Sequence, residues 1–405
     1  HNIKALVIEG KPKKCSTYIL VVAENEIYLE ERPELAGLGN YKVMSTLMEQ
    51  YGQKCAVFSI GPAGEQKASL ATVAISDLEG RPSRHAGRGG IGGVLGSKCL
   101  KAVVICPPPQ SRIAAVDGDS FKRVVKELTQ YLVKNQATLH KYGTAGTLSF
   151  INKLGGLPTK NFRFGQYEKA EEINGERLYQ LCTERGGSTG HRCSNGCVIQ
   201  CSNIFNDAEG NYVTSGLEYE TLGLLGSNCG LDSLDDIARL DYLCDDLGID
   251  TMEMGVALGV AMEGGLLPFG DFVQMKDCIE QVAAGTLKGK LFGQGATVTG
   301  RVLGVEHVPA SHGQAMASYD PRVIKGTGVT YAISPMGADH TSGSCVFGDY
   351  DWTSPYGQVK ASVESLITTM VCDMLGLCTF VGHSPDLMPT FAALSSFFIG
   401  KNITE

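Results

Sequence analysis

A chain of 405 residues with 43% hydrophobic content is long enough to bury a large core spread over two or three domains. Its formal net charge of -8 leaves it without the basic surface that nucleic acid or an anionic membrane needs, so small molecules and other proteins are the expected partners. No uncharged apolar run reaches the length of a bilayer span; the nearest, Met254 to Leu267, is short, contains Glu263 and several glycines, and reads as a buried helix.

The chain opens at His1 without a methionine, and Ile3 to Glu9 already reads as the inside of a strand, so it is expected to be a piece of a longer product. Short β-rich runs at Lys4–Glu9, Tyr18–Val22, Cys55–Ile60 and Lys101–Cys106, with one helical stretch near Tyr41–Tyr51, predict a partial α+β unit over residues 1–107. Cys106-Pro107-Pro108-Pro109 then forms a rigid break. Beyond it the helical period takes over. Phe121, Val124, Val125, Leu128 and Leu132 follow the spacing of one helix face, with Asp119 or Ser120 as the N-cap, and Ser233 caps a second helix carrying Ile237, Leu240, Leu243 and Cys244, with Asp236 as its partner at the third position. The expected fold class is α+β, with mainly helical domains over residues 108–310 and 311–405.

Within the helical part Cys244-Asp245-Asp246-Leu247-Gly248-Ile249-Asp250-Thr251 recurs as Cys372-Asp373-Met374-Leu375-Gly376-Leu377-Cys378-Thr379. Each copy sets an Asp one turn before a Gly that can end a helix in the left-handed region, which leaves a carboxylate and the following amides exposed at a helix terminus. Two equivalent corners able to grip a planar donor edge are implied; two ordinary glycine-terminated helices are the plainer alternative.

Fourteen cysteines in a long chain point to metal binding or inert burial rather than a disulfide scaffold, and hence to a reducing cytoplasm. Cys193, Cys197 and Cys201 stand four residues apart and can point into one small volume, as ligands of a soft metal or an iron–sulfur cluster do. Cys378 is the best fourth ligand, while a structural zinc and buried free thiols stay open. The glycine-rich run from His85 through Ala86, Gly87 and Arg88 to Lys98 would let backbone groups approach an anion or its metal; a flexible loop is the alternative. Glu220, in Glu218-Tyr219-Glu220-Thr221, and His340, in Gly337-Ala338-Asp339-His340-Thr341, are the acid–base candidates, against plain readings as a surface carboxylate and a core histidine.

Taken in order, the glycine-rich run, the three-cysteine cluster, the Glu220 segment, the first corner, Asp320-Pro321-Arg322, the His340 segment and the second corner make nearly the whole chain resemble the aldehyde ferredoxin oxidoreductase family. The resemblance implies two pyranopterins on one tungsten or molybdenum, a magnesium ion between their phosphates and a [4Fe–4S] cluster. It implies cluster ligation by Cys193, Cys197, Cys201 and Cys378. Asp245 and Asp373 would accept from the pterin edges, with Gly248, Ile249, Asp250, Gly376 and Leu377 completing the corners. Ala86 would touch magnesium through its carbonyl, beside Gly87 and Arg88 at the phosphates. Glu220 would activate water or take a proton, and His340 would polarise a carbonyl oxygen. The implied reaction oxidises an aldehyde to a carboxylic acid and sends electrons to ferredoxin or a ferredoxin-like subunit, with no membrane or nucleic acid involved and with room for a homodimer. A low-potential reductase subunit acting on another substrate, and a fragment holding no cofactor, remain alternatives. Three features depart from the family pattern: three residues rather than two between Cys193 and Cys197, His85 in place of an arginine, and a chain expected to begin inside the N-terminal domain and to stop soon after Cys378.

Overall fold

Successive side chains of the strand Tyr18–Val22 (β1) point to opposite faces, so Ile19 and Val21 enter one apolar cluster and Leu20 another. The computed structural model, which describes residues 3, 5–14, 16–108, 114–347, 351–382 and 385–404, places β1 in a six-stranded sheet. Its other strands are Ile27–Glu31 (β2), Ala56–Ser59 (β3), Val73–Ile75 (β4), Arg84–Ala86 (β5) and Leu100–Ile105 (β6). They run in the order β2-β1-β6-β3-β4-β5; β1 and β6 are parallel and the other neighbours antiparallel. Helix Asn40–Tyr51 covers the Ile19 face with Val43, Met44, Leu47 and Met48, while helix Ile91–Ser97 lays Leu95 against Leu20, Leu100 and Val103 on the other.

The expected strand at Lys4–Glu9 does not form. Lys4 lies outside the described residues, and residues 5–9 form no regular secondary structure and pair with no strand, with Leu6 and Val7 turned to solvent. A strand needs a neighbour for its backbone groups, and among the described residues the sheet's edges are β2 and β5. The edge strand β2, absent from the sequence reading, buries none of its five side chains fully and so lacks a clear apolar signal.

Past Cys106 helices dominate, as expected; Pro109 lies outside the described residues. The cap of helix Gly118–Asn135 is Asp117, whose carboxylate accepts from Ser120 N at 3.1 Å, rather than Asp119 or Ser120, which form the helix's first turn. Helix Thr251–Glu263 is buried from Met252 to Met262 and forms the centre of the helical body. No described helix is long and apolar enough to cross a membrane. Two small β pieces break the helical part: an antiparallel sheet of Ser188–His191 (β7), Ser202–Asn206 (β8) and Tyr212–Ser215 (β9), and a hairpin of Ala310–Ser311 (β10) and Gln314–Ala315 (β11). The architecture is α+β.

Sheet and helical body meet where helix Leu234–Leu247 ends. Thr72 N donates to Gly248 O at 2.9 Å, Asp250 N to Leu70 O at 3.0 Å, and Asn40 Nδ2 to Asp245 O at 2.7 Å. Gly61 makes the seam possible: a Cβ there would sit 2.2 Å from the Leu247 carbonyl. Gly61→Ala is therefore expected to cost about 1–3 kcal/mol through forced backbone movement. Gly118→Ala, where an added Cβ meets nothing within 4 Å, should be near neutral. Urea unfolding midpoints of the two variants check this; equal midpoints would mean that the seam is not tightly packed.

Candidate active site

Helix Leu234–Leu247 begins under Ser233, whose hydroxyl accepts from Asp236 N at 3.2 Å, and ends at Gly248 with a φ of 72°. This ending turns the last-turn Asp245 towards β5. Its Oδ1 lies 3.0 Å from His85 Nε2, and its Oδ2 is buried with no partner. Burial pushes the Asp245 carboxyl up, opposed by His85 and Arg84. One turn earlier, buried Asp241 accepts from Thr214 Oγ1 at 2.7 Å. Arg84 reaches Glu218 at 3.6 Å, and its Nε is another buried atom without a partner.

The second copy, helix Gln358–Leu375, ends at Gly376 with a φ of 67°. Leu377 N bonds Cys372 O at 2.8 Å, as Ile249 N bonds Cys244 O at 2.8 Å. The amides expected to be exposed after each glycine are thus used to close the helix, because the left-handed glycine folds them back onto the last carbonyls. The copies differ in surroundings: Asp245 is buried and Asp373 is exposed. Asp250 caps the next helix, accepting from Met252 N at 2.9 Å.

The loop between β7 and β8 carries Cys193, Cys197 and Cys201. Cys197 N donates to Ser194 O at 3.3 Å, and Gln200, at a left-handed φ of 54°, donates its N–H to Cys197 Sγ at 3.4 Å. Amide–sulfur bonds of this kind support ligating thiolates. Burial, then Glu218 and the thiols of Cys378, Cys193 and Cys197, push the Cys201 thiol up, and Cys193 and Cys197 act on Cys378 in the same direction. The four thiols therefore share one neighbourhood. Among the described residues no three His, Cys, Asp or Glu side chains close round a single ion.

β5 leads directly into the glycine run, and helix Ile91–Ser97 follows it. Ala86 pairs with Val73, and a Cβ on Gly87 or Gly89 would meet nothing within 4 Å, which leaves room for an anion against the backbone. Arg88 is drawn inward. Its guanidinium, 8% exposed, donates to Ala338 O at 2.8 Å and Ala315 O at 2.6 Å, and lies 3.4 Å from Asp250 and 3.6 Å from Glu253. Glu253 accepts in turn from Ala296 N at 2.9 Å and Ala315 N at 2.8 Å.

Glu220 sits in the short helix Tyr219–Thr221, which continues into a fully buried π-helical turn, Leu222–Gly226. Its Oε2 accepts from Ser318 N at 2.7 Å, and its Oε1 is buried with no partner. Burial pushes this carboxyl up to about 7. Burial and the charge of Arg88 push His340 down to about 4, and its Nδ1 is likewise without a partner. Arg88 acts on both groups, so the structure gathers Glu220 and His340 around one buried cation. The hydroxyls of Ser318 and Tyr331 are also unpartnered. An orphaned buried polar atom costs about 1–3 kcal/mol, so this many in one region fit a polar group that is held between them. The donor set suits the expected cofactor.

Sequence reading did not pick out Arg84, Asp241 or Glu253. Glu253 had a signal, being the one ionisable residue in the apolar stretch from Met252 to Met262. Arg84 and Asp241 had none.

Comparison with known proteins bears on the same region. The model of the aldehyde ferredoxin oxidoreductase N-terminal domain matches residues 1–107, and that of domains 2 and 3 matches residues 122–405. The tungsten-containing aldehyde ferredoxin oxidoreductase of Pyrococcus abyssi is 30% identical over 410 residues, covering 93% of this chain and 64% of the relative. That of Thermococcus kodakarensis is 29% identical over 403 residues with the same coverage. The WOR-like subunit of the aliphatic sulfonate oxidoreductase of Pyrococcus furiosus is 25% identical over 378 residues, 83% of this chain and 58% of the relative. This chain spans 64% of the length of the curated tungsten relatives. Among solved structures, the active site complex BamBC of benzoyl coenzyme A reductase, in complex with 1,5-dienoyl-CoA, shares the fold with a TM-score of 0.73 at 14% identity, covering 97% of this chain and 69% of that one. The chain belongs to the aldehyde ferredoxin oxidoreductase family.

Proposed function

We propose that this chain is the core of a tungsten- or molybdenum-dependent oxidoreductase that turns an aldehyde and water into a carboxylic acid, two protons and two electrons, the electrons leaving for ferredoxin or a ferredoxin-like subunit in the cytoplasm. The observation that carries this reading is the set of buried, unpartnered atoms Glu220 Oε1, His340 Nδ1 and Asp245 Oδ2 in a chain of this family. When bound, the metal with its two pyranopterins supplies the two-electron redox chemistry, and a [4Fe–4S] cluster supplies a one-electron outlet.

In this reading Cys193, Cys197, Cys201 and Cys378 hold the cluster. Asp245, with Gly248, Ile249 and Asp250, holds one pterin edge, and Asp373, with Gly376 and Leu377, holds the other. The Ala86 carbonyl takes magnesium, and the open backbone at Gly87 admits the phosphates. Glu220, held through Oε2 by Ser318 N, keeps Oε1 free to take a proton from water as it adds to the carbonyl carbon. A carboxyl with a pKa near 7 can accept that proton and release it again near neutral pH. His340 is neutral there and can donate a hydrogen bond to the carbonyl oxygen without adding charge.

Two outcomes follow from these assignments. With the full-length holoenzyme and a viologen acceptor, kcat/KM for an aldehyde should rise with pH through about 7, where Glu220 ionises. Glu220→Gln should lower it by about 10²–10⁴-fold and flatten that limb. A stability readout accompanies it. The folded pKa is raised from 4.5, so the protonated form contributes stability that is complete below about 4.5 and is lost as pH rises through about 7. That slope, on the order of 3 kcal/mol in total, should vanish in Glu220→Gln. An unmodified enzyme with a flat profile would remove Glu220 from the proton-transfer role. Elemental analysis of the anaerobically expressed full-length protein should find about four irons, about one tungsten or molybdenum and about two pterins per chain, with iron falling in Cys197→Ser. Zinc alone, or no metal, would defeat the assignment.

A further inference from the structure

A cavity of about 360 Å³ opens between the helical segments around Asn135–Phe150 and the C-terminal part of the chain. Leu139, Thr144, Phe150, Tyr319, Phe347 and Phe380 form its main walls. Among the described residues, none of the side chains lining it belongs to an Asp, Glu, Lys, Arg or His residue. Two of its lining residues, Tyr319 and Thr144, neighbour the segments that hold Glu220. Tyr319 follows Ser318, whose N–H holds Glu220, and its ring centroid lies 4.9 Å from that of Tyr219. Thr144 Oγ1 accepts from Tyr219 N at 2.9 Å. At the other end Phe150 and Phe347 are 42% and 51% exposed, so the cavity runs from an aromatic mouth to a buried Tyr319 wall.

Resting on the reading of Glu220 given above, we propose that this cavity receives the tail of the substrate, and that it selects an uncharged aldehyde with a bulky apolar or aromatic tail over one carrying an anionic group. Its volume falls within the range of about 300–1,000 Å³ typical of small-molecule pockets and is large enough for one ring. Aromatic walls offer edge-to-face contacts to a planar tail. A carboxylate or sulfonate would lose its hydration in the cavity without meeting a cation, which disfavours it.

This 405-residue chain contains a single tryptophan, Trp352, which packs edge-on against Phe150 with ring centroids 5.7 Å apart, and the signal that Trp352→Phe removes from the full-length protein is its own. Its fluorescence reports on the mouth of the cavity without any turnover. Titration of the full-length protein with benzyl alcohol should give a saturable change, with half-saturation at a concentration at least about tenfold lower than for benzenesulfonate. Leu139→Ala, which leaves the Trp352 contact intact, should weaken the alcohol by about fivefold or more. Thr147→Lys, which places a cation on the cavity wall, should reverse the preference towards benzenesulfonate. Equal affinity for the two probes, or no saturable binding of the alcohol, would overturn the proposal. Activity separates it from the function on which it rests. If benzyl alcohol binds but the holoenzyme oxidises no aldehyde, the catalytic reading fails and the pocket stands. If the holoenzyme oxidises neutral and anionic aldehydes with equal kcat/KM, the catalytic reading stands and the pocket assignment fails.

Discussion

Beside the backbone bonds at Gly248, one buried charge arrangement, Arg88 against Asp250 and Glu253, joins the sheet to the helical body. A guanidinium that is 8% exposed is tolerated because two carboxylates and two backbone carbonyls surround it. Removing it would leave both carboxylates uncompensated inside the protein. The same group anchors the segments that carry Glu220 and His340, the proposed acid–base pair. Through Ala315 it anchors the segment that reaches Ser318 and so Glu220, and through Ala338 it anchors the turn that presents His340. Burial raises the Glu220 carboxyl against the opposing charge of Arg88, whereas burial and Arg88 together lower His340.

Much of this was legible from residue order, and the parts that were not share a physical reason. The Ser233 cap, the glycine ends at Gly248 and Gly376 and a buried helix in the apolar stretch Met254–Leu267 are written locally, although that helix in fact runs Thr251–Glu263, starting under Asp250 and ending at Gly264. The cap at Asp117 was ambiguous because Asp119 and Ser120 are equally good residues two and three places on, and only the path of the backbone chooses among them. The strands β7, β8 and β9 are short and rich in Ser, Thr and Asn, so they show no apolar alternation. The direction taken by Arg88 is not coded nearby at all: its acceptors lie 227 and 250 residues away. The sequence pointed it at phosphates, since a glycine-rich loop is all that its neighbours reveal.

The repeated corner shows how far local likeness reaches. Both copies fold into the same helix ending, closed by the same 2.8 Å bond from the residue after the glycine. The first is then packed by Asn40, Gly61 and His85 from the sheet domain, while the second keeps an exposed Asp373 and, at Gly376, open space around a would-be Cβ. Identical spacing makes identical backbone; burial and electrostatics come from whatever packs against it.

The π-helical turn after Glu220 carries a different kind of consequence, one of length. Tyr219 to Cys229 is a continuous coil that changes pitch from α to π to 3-10. In an α-helix each residue advances the side chains by about 100°, so losing a single residue from Leu222–Gly226 would rotate Glu220 by roughly that angle relative to Ser227 and Asn228. The Glu220 carboxylate would then face a different wall of the body. Substitutions within this turn change packing, but an insertion or deletion changes where the chemistry points, which makes its residue count, more than its composition, the quantity that a working descendant of this chain must preserve.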